Sequence, residues 1–178
     1  MAFYYLAASL PALSIEGPVP ISRERFLEAC APELPARALA DVVMLLEGRE
    51  REASHAWIRA WVNRDTQLRN ALARLRSAKA DVDEAPYLRE HEGFEVFLEK
   101  SAAEIMGRAN PLERELALDR LRWKMAESMA AFEPFGLPAI FSYALRLRIA
   151  LRWSGLTPDR GREAVRKLID TTMQESRL

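Results

Sequence analysis

The chain holds one cysteine, two histidines and seven glycines in 178 residues. A lone Cys30 excludes an intrachain disulfide, so a reducing compartment is the simpler setting. Seven scattered glycines allow neither the dinucleotide-binding fingerprint nor the nucleoside-triphosphate loop to be written. Net charge is also missing, because 26 Lys+Arg balance 26 Asp+Glu. The electrostatic footprint of a dedicated nucleic-acid binder is therefore absent. No apolar run is long enough to span a bilayer: the longest, from Ala2 to Leu13, is broken by Ser9 and Pro11, and spanning needs about 20 residues. No Lys or Arg lies between Met1 and that run, so a signal peptide is not expected, and the chain should stay in the cytosol without direct membrane insertion.

What remains is 49% hydrophobic and 29% charged, the composition of a folded domain large enough to bury one sizeable core. Hairpin dipeptides and long alternating stretches do not occur, and only Phe3-Tyr4-Tyr5-Leu6 suits a strand, or equally a docked helix. Pro32 and Pro35 separate a segment from Ser22 to Cys30 from a helix ending near Glu47, where Gly48 stands as the expected cap. From Ala53 to Ala78 helical spacing places Ala53, Trp57, Ala60, Trp61, Leu68, Ala71, Leu72 and Leu75 inward. A connection around Asp81–Pro86 precedes a shorter helix to about Ile105. Asn110-Pro111-Leu112-Glu113 then opens a helix with an N-cap and a proline in its first turn. That helix turns Leu112, Leu116, Leu121, Met125, Met129 and Phe132 inward. Pro134, Gly136 and Pro138 end it. Ile140, Tyr143, Ala144, Leu147, Ala150 and Leu151 form one face of the next helix. Thr157-Pro158-Asp159 starts a last helix, with Val165, Leu168, Ile169 and Met173 apolar. The expected architecture is all-α: six or seven helices in one bundle-like body over 1–178, with a two-lobe division near 80–110 as the variant. Leu68-Arg69-Asn70-Ala71-Leu72 is echoed by Leu147-Arg148-Ile149-Ala150-Leu151, and Trp61 then aligns with Ile140.

The catalytic inventory is small. His91-Glu92-Gly93-Phe94-Glu95 departs from the zinc-helix pattern at its last position, where Glu95 replaces histidine, and Gly93 weakens the helix that must present both ligands. A solvated polar face accounts for it more simply than a metal site, although a small His91/Glu95 metalloenzyme is a reading that metal analysis tests. Cys30 has no evident histidine partner and suits a core position. The expectation is a non-enzyme without catalytic residues, cofactor or metal.

Of the 26 basic residues only Lys79, Lys100, Lys124 and Lys167 are lysine; the rest are arginine. Nucleotide composition of the source genome accounts for some of this. Guanidinium groups also suit protein interfaces, where they pair bidentately with carboxylates. The chain is slightly acidic up to Asn110 and slightly basic after it. Arg146, Arg148 and Arg152 project from the far side of the helix carrying Tyr143 and Leu147 and are partner-interface candidates. Trp57 and Trp61 suit the core, whereas Trp123 and Trp153 lie off the best apolar faces and join the candidates. Nucleic-acid binding through the arginines is the reading that neutral charge disfavours.

The stretch Glu113-Arg114-Glu115-Leu116-Ala117-Leu118-Asp119-Arg120-Leu121-Arg122-Trp123 resembles a motif of a bacterial family encoded alongside V/A-type ATPase genes. Phe135-Gly136-Leu137-Pro138-Ala139-Ile140-Phe141-Ser142-Tyr143-Ala144-Leu145 continues the likeness. It is also similar to the part of the V/A-type ATPase C subunit (the d subunit in eukaryotes) in which a Phe-Gly turn opens a helix leading to a Leu-Arg pair. Arg152-Trp153, Gly161-Arg162-Glu163 and Lys167-Leu168-Ile169 extend it, and Tyr4-Tyr5-Leu6-Ala7-Ala8-Ser9-Leu10-Pro11 is similar to the family's opening. Gln67-Leu68-Arg69-Asn70 resembles an element that the C subunit repeats. The likeness is strongest over 111–170 and 3–13. It implies a helical, non-catalytic socket, peripheral on the cytoplasmic face, whose partners are the central-stalk subunits and the membrane rotor ring. The C subunit is considerably longer, with three related lobes, and this chain has room for one or two. The alternative within the same resemblance is an assembly or regulatory factor absent from the finished rotor.

Overall fold

A computed structural model of the chain describes residues 2–156. Among these residues it is entirely helical. The helices are α1 (Tyr4–Ser9), α2 (Arg23–Cys30), α3 (Ala36–Glu47), α4 (Ala56–Ala80), α5 (Val96–Met106), α6 (Pro111–Ala130) and α7 (Leu137–Ser154), with one 3₁₀ turn at Ala85–Tyr87. The helix expected after Thr157 lies outside the described residues. No helix among them is long and apolar enough to cross a membrane.

The punctuation acts through backbone chemistry. Ser22 accepts a hydrogen bond from the Arg25 N–H at 3.2 Å and starts α2. Asn110 accepts one from the Leu112 N–H at 2.9 Å and starts α6, with Pro111 behind it. Gly48 adopts φ 75°, and the Arg49 N–H reaches back to the Met44 carbonyl at 2.8 Å, a Schellman closure that needs a left-handed residue. α4 begins at Ala56 rather than Ala53, because the His55 imidazole Nδ1 accepts from the Trp57 N–H at 3.1 Å and caps the helix. The aromatic run at the N-terminus is helical, not extended. Its entry is tied to the α6–α7 turn by the Phe3 N–H on the Phe135 carbonyl at 2.6 Å.

α7 lies at the centre and packs against α3 and α6, while α4 packs against α5. Phe141, Leu145 and Ile149 are buried along with the expected face of Ile140, Tyr143, Ala144 and Leu147. A helix apolar nearly all round is a buried one, and in α7 only Arg152 and Ser154, in its last turn, are exposed. The larger core cluster unites Phe3, Phe26, Val42, Ile58, Trp61 and Phe141 with their neighbours; a smaller one joins Leu68, Leu72, Ala102, Ile105, Leu118 and Leu121. Helices α4, α5 and α6 each contribute to both. The segment before α2 is held down at two points: the Tyr143 hydroxyl donates to the Pro11 carbonyl at 2.9 Å, and Glu16 pairs with Arg120.

Three residues expected inside are outside. Ala60 is exposed, Leu112 is 61% exposed in the first turn of α6, and Phe132 is 96% exposed. α6 stops at Ala130, so Phe132 falls in the turn, where helical spacing no longer governs its direction. Leu112 precedes the point at which α6 meets the smaller cluster. Trp57 is only half-buried, its indole N–H donating to the Met129 carbonyl at 3.0 Å.

Candidate functional site

Charged and apolar residues recur together at i, i+3, i+4 and i+7 on α6 and α7 and at i, i+3 and i+7 on α4, and these stripes converge. α7 contributes Leu145, Arg148, Ile149 and Arg152; α6 contributes Glu115, Leu118, Asp119 and Arg122; α4 contributes Trp61, Arg69, Leu72 and Arg76. Between them lies a cleft of about 560 Å³, within the range of small-molecule sites. The helical period places an apolar floor and a guanidinium rim in the same depression.

Two buried aspartates organise the rim. Asp65 receives the Arg69 Nε at 2.6 Å and the Arg122 Nε at 2.8 Å. Asp119 receives Arg122 at 3.1 Å, Arg152 at 2.7 Å and the Trp153 indole N–H at 2.9 Å. Arg122 therefore bridges two carboxylates on different helices. Arg152 also reaches Glu115 at 3.1 Å. Beside this network Arg148 donates to Glu50 at 2.8 Å and to the Leu45 carbonyl at 2.6 Å, stitching α7 to the end of α3. Burial pushes the Asp65 carboxyl upward, but Arg122 and Arg69 outweigh it and hold the pKa below the usual aspartate value. Burial likewise works against the Arg122 charge, and Asp65 with Asp119 more than restores it. Glu50 ends below the ordinary glutamate value, its burial opposed by the hydrogen bonds and charge of Arg148.

The rim is not saturated. Arg76 is exposed and has no ion-pair or hydrogen-bond partner among the described residues. The Trp61 indole Nε1, buried on the cleft wall, also has no acceptor among the described residues.

Of the five interface candidates, Arg148, Arg152 and Trp153 belong to this network. Arg146 and Trp123 sit in a separate cluster. Arg146 pairs with Glu127 at 2.8 Å and lies over the Trp123 ring at 5.5 Å, and the Trp123 indole donates to Glu127 at 3.0 Å. Sequence reading did not single out Asp65, Arg69, Arg76, Glu115, Asp119 or Arg122. The signal was the echo: Arg69 and Arg148 hold the same place in the two repeated pentapeptides and line the same cleft.

The Gln67–Asn70 element has a structural task. Gln67 exchanges hydrogen bonds with the Glu95 backbone, donating at 3.0 Å and accepting at 2.9 Å. Asn70 does the same with Arg89, at 2.7 and 3.0 Å. Two buried amides thus take the part of a neighbouring strand for the loop between Arg89 and Glu95. That loop, not a helix, carries His91 through Glu95, with Gly93 at φ 80°, and Glu95 is paired with Arg64. Among the described residues no group of three or more His, Cys, Asp or Glu converges as metal ligands would.

Fold and cleft together define an all-α protein whose central helices are joined by an arginine–carboxylate network. Residues 47–176 match the family described as Protein of unknown function (DUF2764), and the chain belongs to that family. The match takes in every residue lining the cleft and leaves out most of α1–α3. No curated protein and no solved structure matches the chain.

Proposed function

We propose that the protein is a non-catalytic component of a V/A-type rotary ATPase, a C-subunit-like socket coupling the central stalk to the membrane rotor ring during proton or sodium transport. It works on the cytoplasmic face, held there by the complex. The observation that carries this reading is the aromatic surface left uncovered where α1 meets the α6–α7 turn. Phe132 is 96% and Tyr5 77% exposed; Tyr5 follows Tyr4 in the chain and Phe132 shares the turn of Phe135, and the Tyr4 and Phe135 rings sit 4.8 Å apart. Aromatic side chains grouped on a surface supply the anchors of protein interfaces. These residues fall in or beside the two stretches that resemble the ATPase-associated proteins, 3–13 and 111–170.

The test is purification of tagged protein from its own membranes in mild detergent, followed by mass spectrometry. Stalk, ring and catalytic-head subunits at near-equal stoichiometry are expected. Phe132→Asp, which touches no core, should lose them while keeping wild-type circular dichroism. Recovery of the wild-type protein alone would overturn the proposal. Recovery with incomplete complexes only would move the role to an assembly factor.

A further inference from the structure

We infer that the cleft between α4, α6 and α7 is a binding site for a small organic phosphate, its phosphate held by the guanidinium groups of Arg69, Arg76 and Arg122 and its organic part seated on the apolar floor. This rests on the cleft alone and stands apart from the ATPase reading. Every carboxylate at the rim is already engaged: Glu115 and Asp119 by Arg152, and Asp65 by Arg69 and Arg122. The groups left over are all donors. Among the described residues the Arg76 side chain is unpaired, Arg69 uses only its Nε, and Arg122 uses Nε and one terminal nitrogen. The buried Trp61 Nε1 adds a fourth donor without an acceptor among the described residues. Guanidinium and indole nitrogens cannot accept, so they cannot satisfy one another, and the complementary ligand is acceptor-rich and anionic.

One feature selects phosphate over a carboxylate, and a second selects an organic phosphate over an inorganic one. The unused donors belong to three separate guanidinium groups on two helices; a carboxylate brings two oxygens and a single charge, whereas a phosphate monoester brings three oxygens and more charge. The volume of about 560 Å³ exceeds what an inorganic anion fills, and Leu72, Leu118, Leu145 and Ile149 line the rest, a surface for an aromatic or aliphatic moiety.

Calorimetric titration of the full chain with adenosine monophosphate, as an aromatic phosphate probe, tests this beside adenosine and inorganic phosphate. One saturable site is expected for the monophosphate, with inorganic phosphate weaker and adenosine silent. Arg76→Ala, which breaks no hydrogen bond or ion pair among the described residues, should weaken binding about tenfold, and Arg25→Ala on α2 should leave it unchanged. Absence of saturation at millimolar probe overturns the site. So does equal affinity for adenosine, equal affinity for inorganic phosphate, or insensitivity to Arg76→Ala. Sedimentation with phosphatidic acid vesicles without any monophosphate binding would assign the donors to a membrane-borne phosphate and overturn the soluble ligand.

Discussion

Asp65→Asn is the sharpest probe of the network. The carboxylate is buried and accepts from two arginines of very different standing. Arg69 is 59% exposed, so its share is screened by solvent and small. Arg122 is 19% exposed and is left by the substitution with Asp119 as its remaining carboxylate. Removing one member of a buried pair costs about 3–5 kcal/mol. The surviving Asp119 contact brings the expectation to the lower end, about 3 kcal/mol. For a chain of this size that is a fall in Tm of about 6–12 °C, readable by calorimetry and by urea unfolding at neutral pH. The pH dependence carries a sign. A carboxyl whose folded pKa lies below its unfolded value stabilises above the unfolded pKa and loses that contribution as pH falls through the folded one. The gap between wild type and Asp65→Asn should therefore be full at neutral pH and close in strong acid, below the usual aspartate range. A double variant, Asp65→Leu with Arg122→Met, removes both charges and should recover most of the loss, because apolar replacement of a buried pair is often neutral or better. An Asp65→Asn protein within about 0.5 kcal/mol of wild type at neutral pH, the scatter of ordinary surface changes, would refute the assignment of Asp65 as the organiser of the rim.

Other perturbations separate the remaining arguments. Gln67→Ala and Asn70→Ala each strand loop backbone groups and should cost about 1–3 kcal/mol, with hydrogen exchange accelerating at residues 89–95 before the rest of the chain. Gly48→Ala should cost about 1–2 kcal/mol through the left-handed backbone alone, since the added methyl meets the Arg148 side chain at an ordinary 3.5 Å; chemical denaturation measures it. Cys30 is fully buried and burial pushes its thiol up to about 12, so a thiol-specific reagent should leave the native protein unmodified at neutral pH and react at once in denaturant.

The helices were legible where the signal is local. Asn110 before Pro111, Ser22 before Arg23 and Gly48 after Glu47 act on backbone groups within one turn, so residue type alone places them. Periodicity identified α7 but not its surroundings, because Phe141, Leu145 and Ile149 read as a second apolar face only when another helix is known to cover it. The cleft was less legible still. Arg69, Asp119 and Arg148 look like solvated charge in their own helices, and their meaning lies in partners far along the chain: Arg122 is 57 residues from Asp65 and Arg148 is 98 from Glu50. Only the repeated Leu-Arg-x-Ala-Leu pentapeptide linked two of the walls. The His91–Glu95 fragment shows the reverse failure, since its spacing has ligand geometry only on a helix, and Gly93 with the amides of Gln67 and Asn70 holds it as a loop.

The preference for arginine over lysine has a structural reason at the centre of this fold. Arg122 gives its Nε to Asp65 on α4 and a terminal nitrogen to Asp119 on its own helix, and Arg152 gives two nitrogens to Asp119 and Glu115. A planar fork with several fixed donors spans two carboxylates at once, whereas an ammonium concentrates its charge at a single point. The chain Asp65–Arg122–Asp119–Arg152 therefore links α4, α6 and α7 in fixed relative orientation, and with it fixes the spacing of the guanidinium groups around the cleft. Lysine at position 122 would keep the charge and lose the bridge. The same residue type that neutral composition and genome bias leave ambiguous is thus, at these positions, the one that holds three helices together while leaving donors free at the rim.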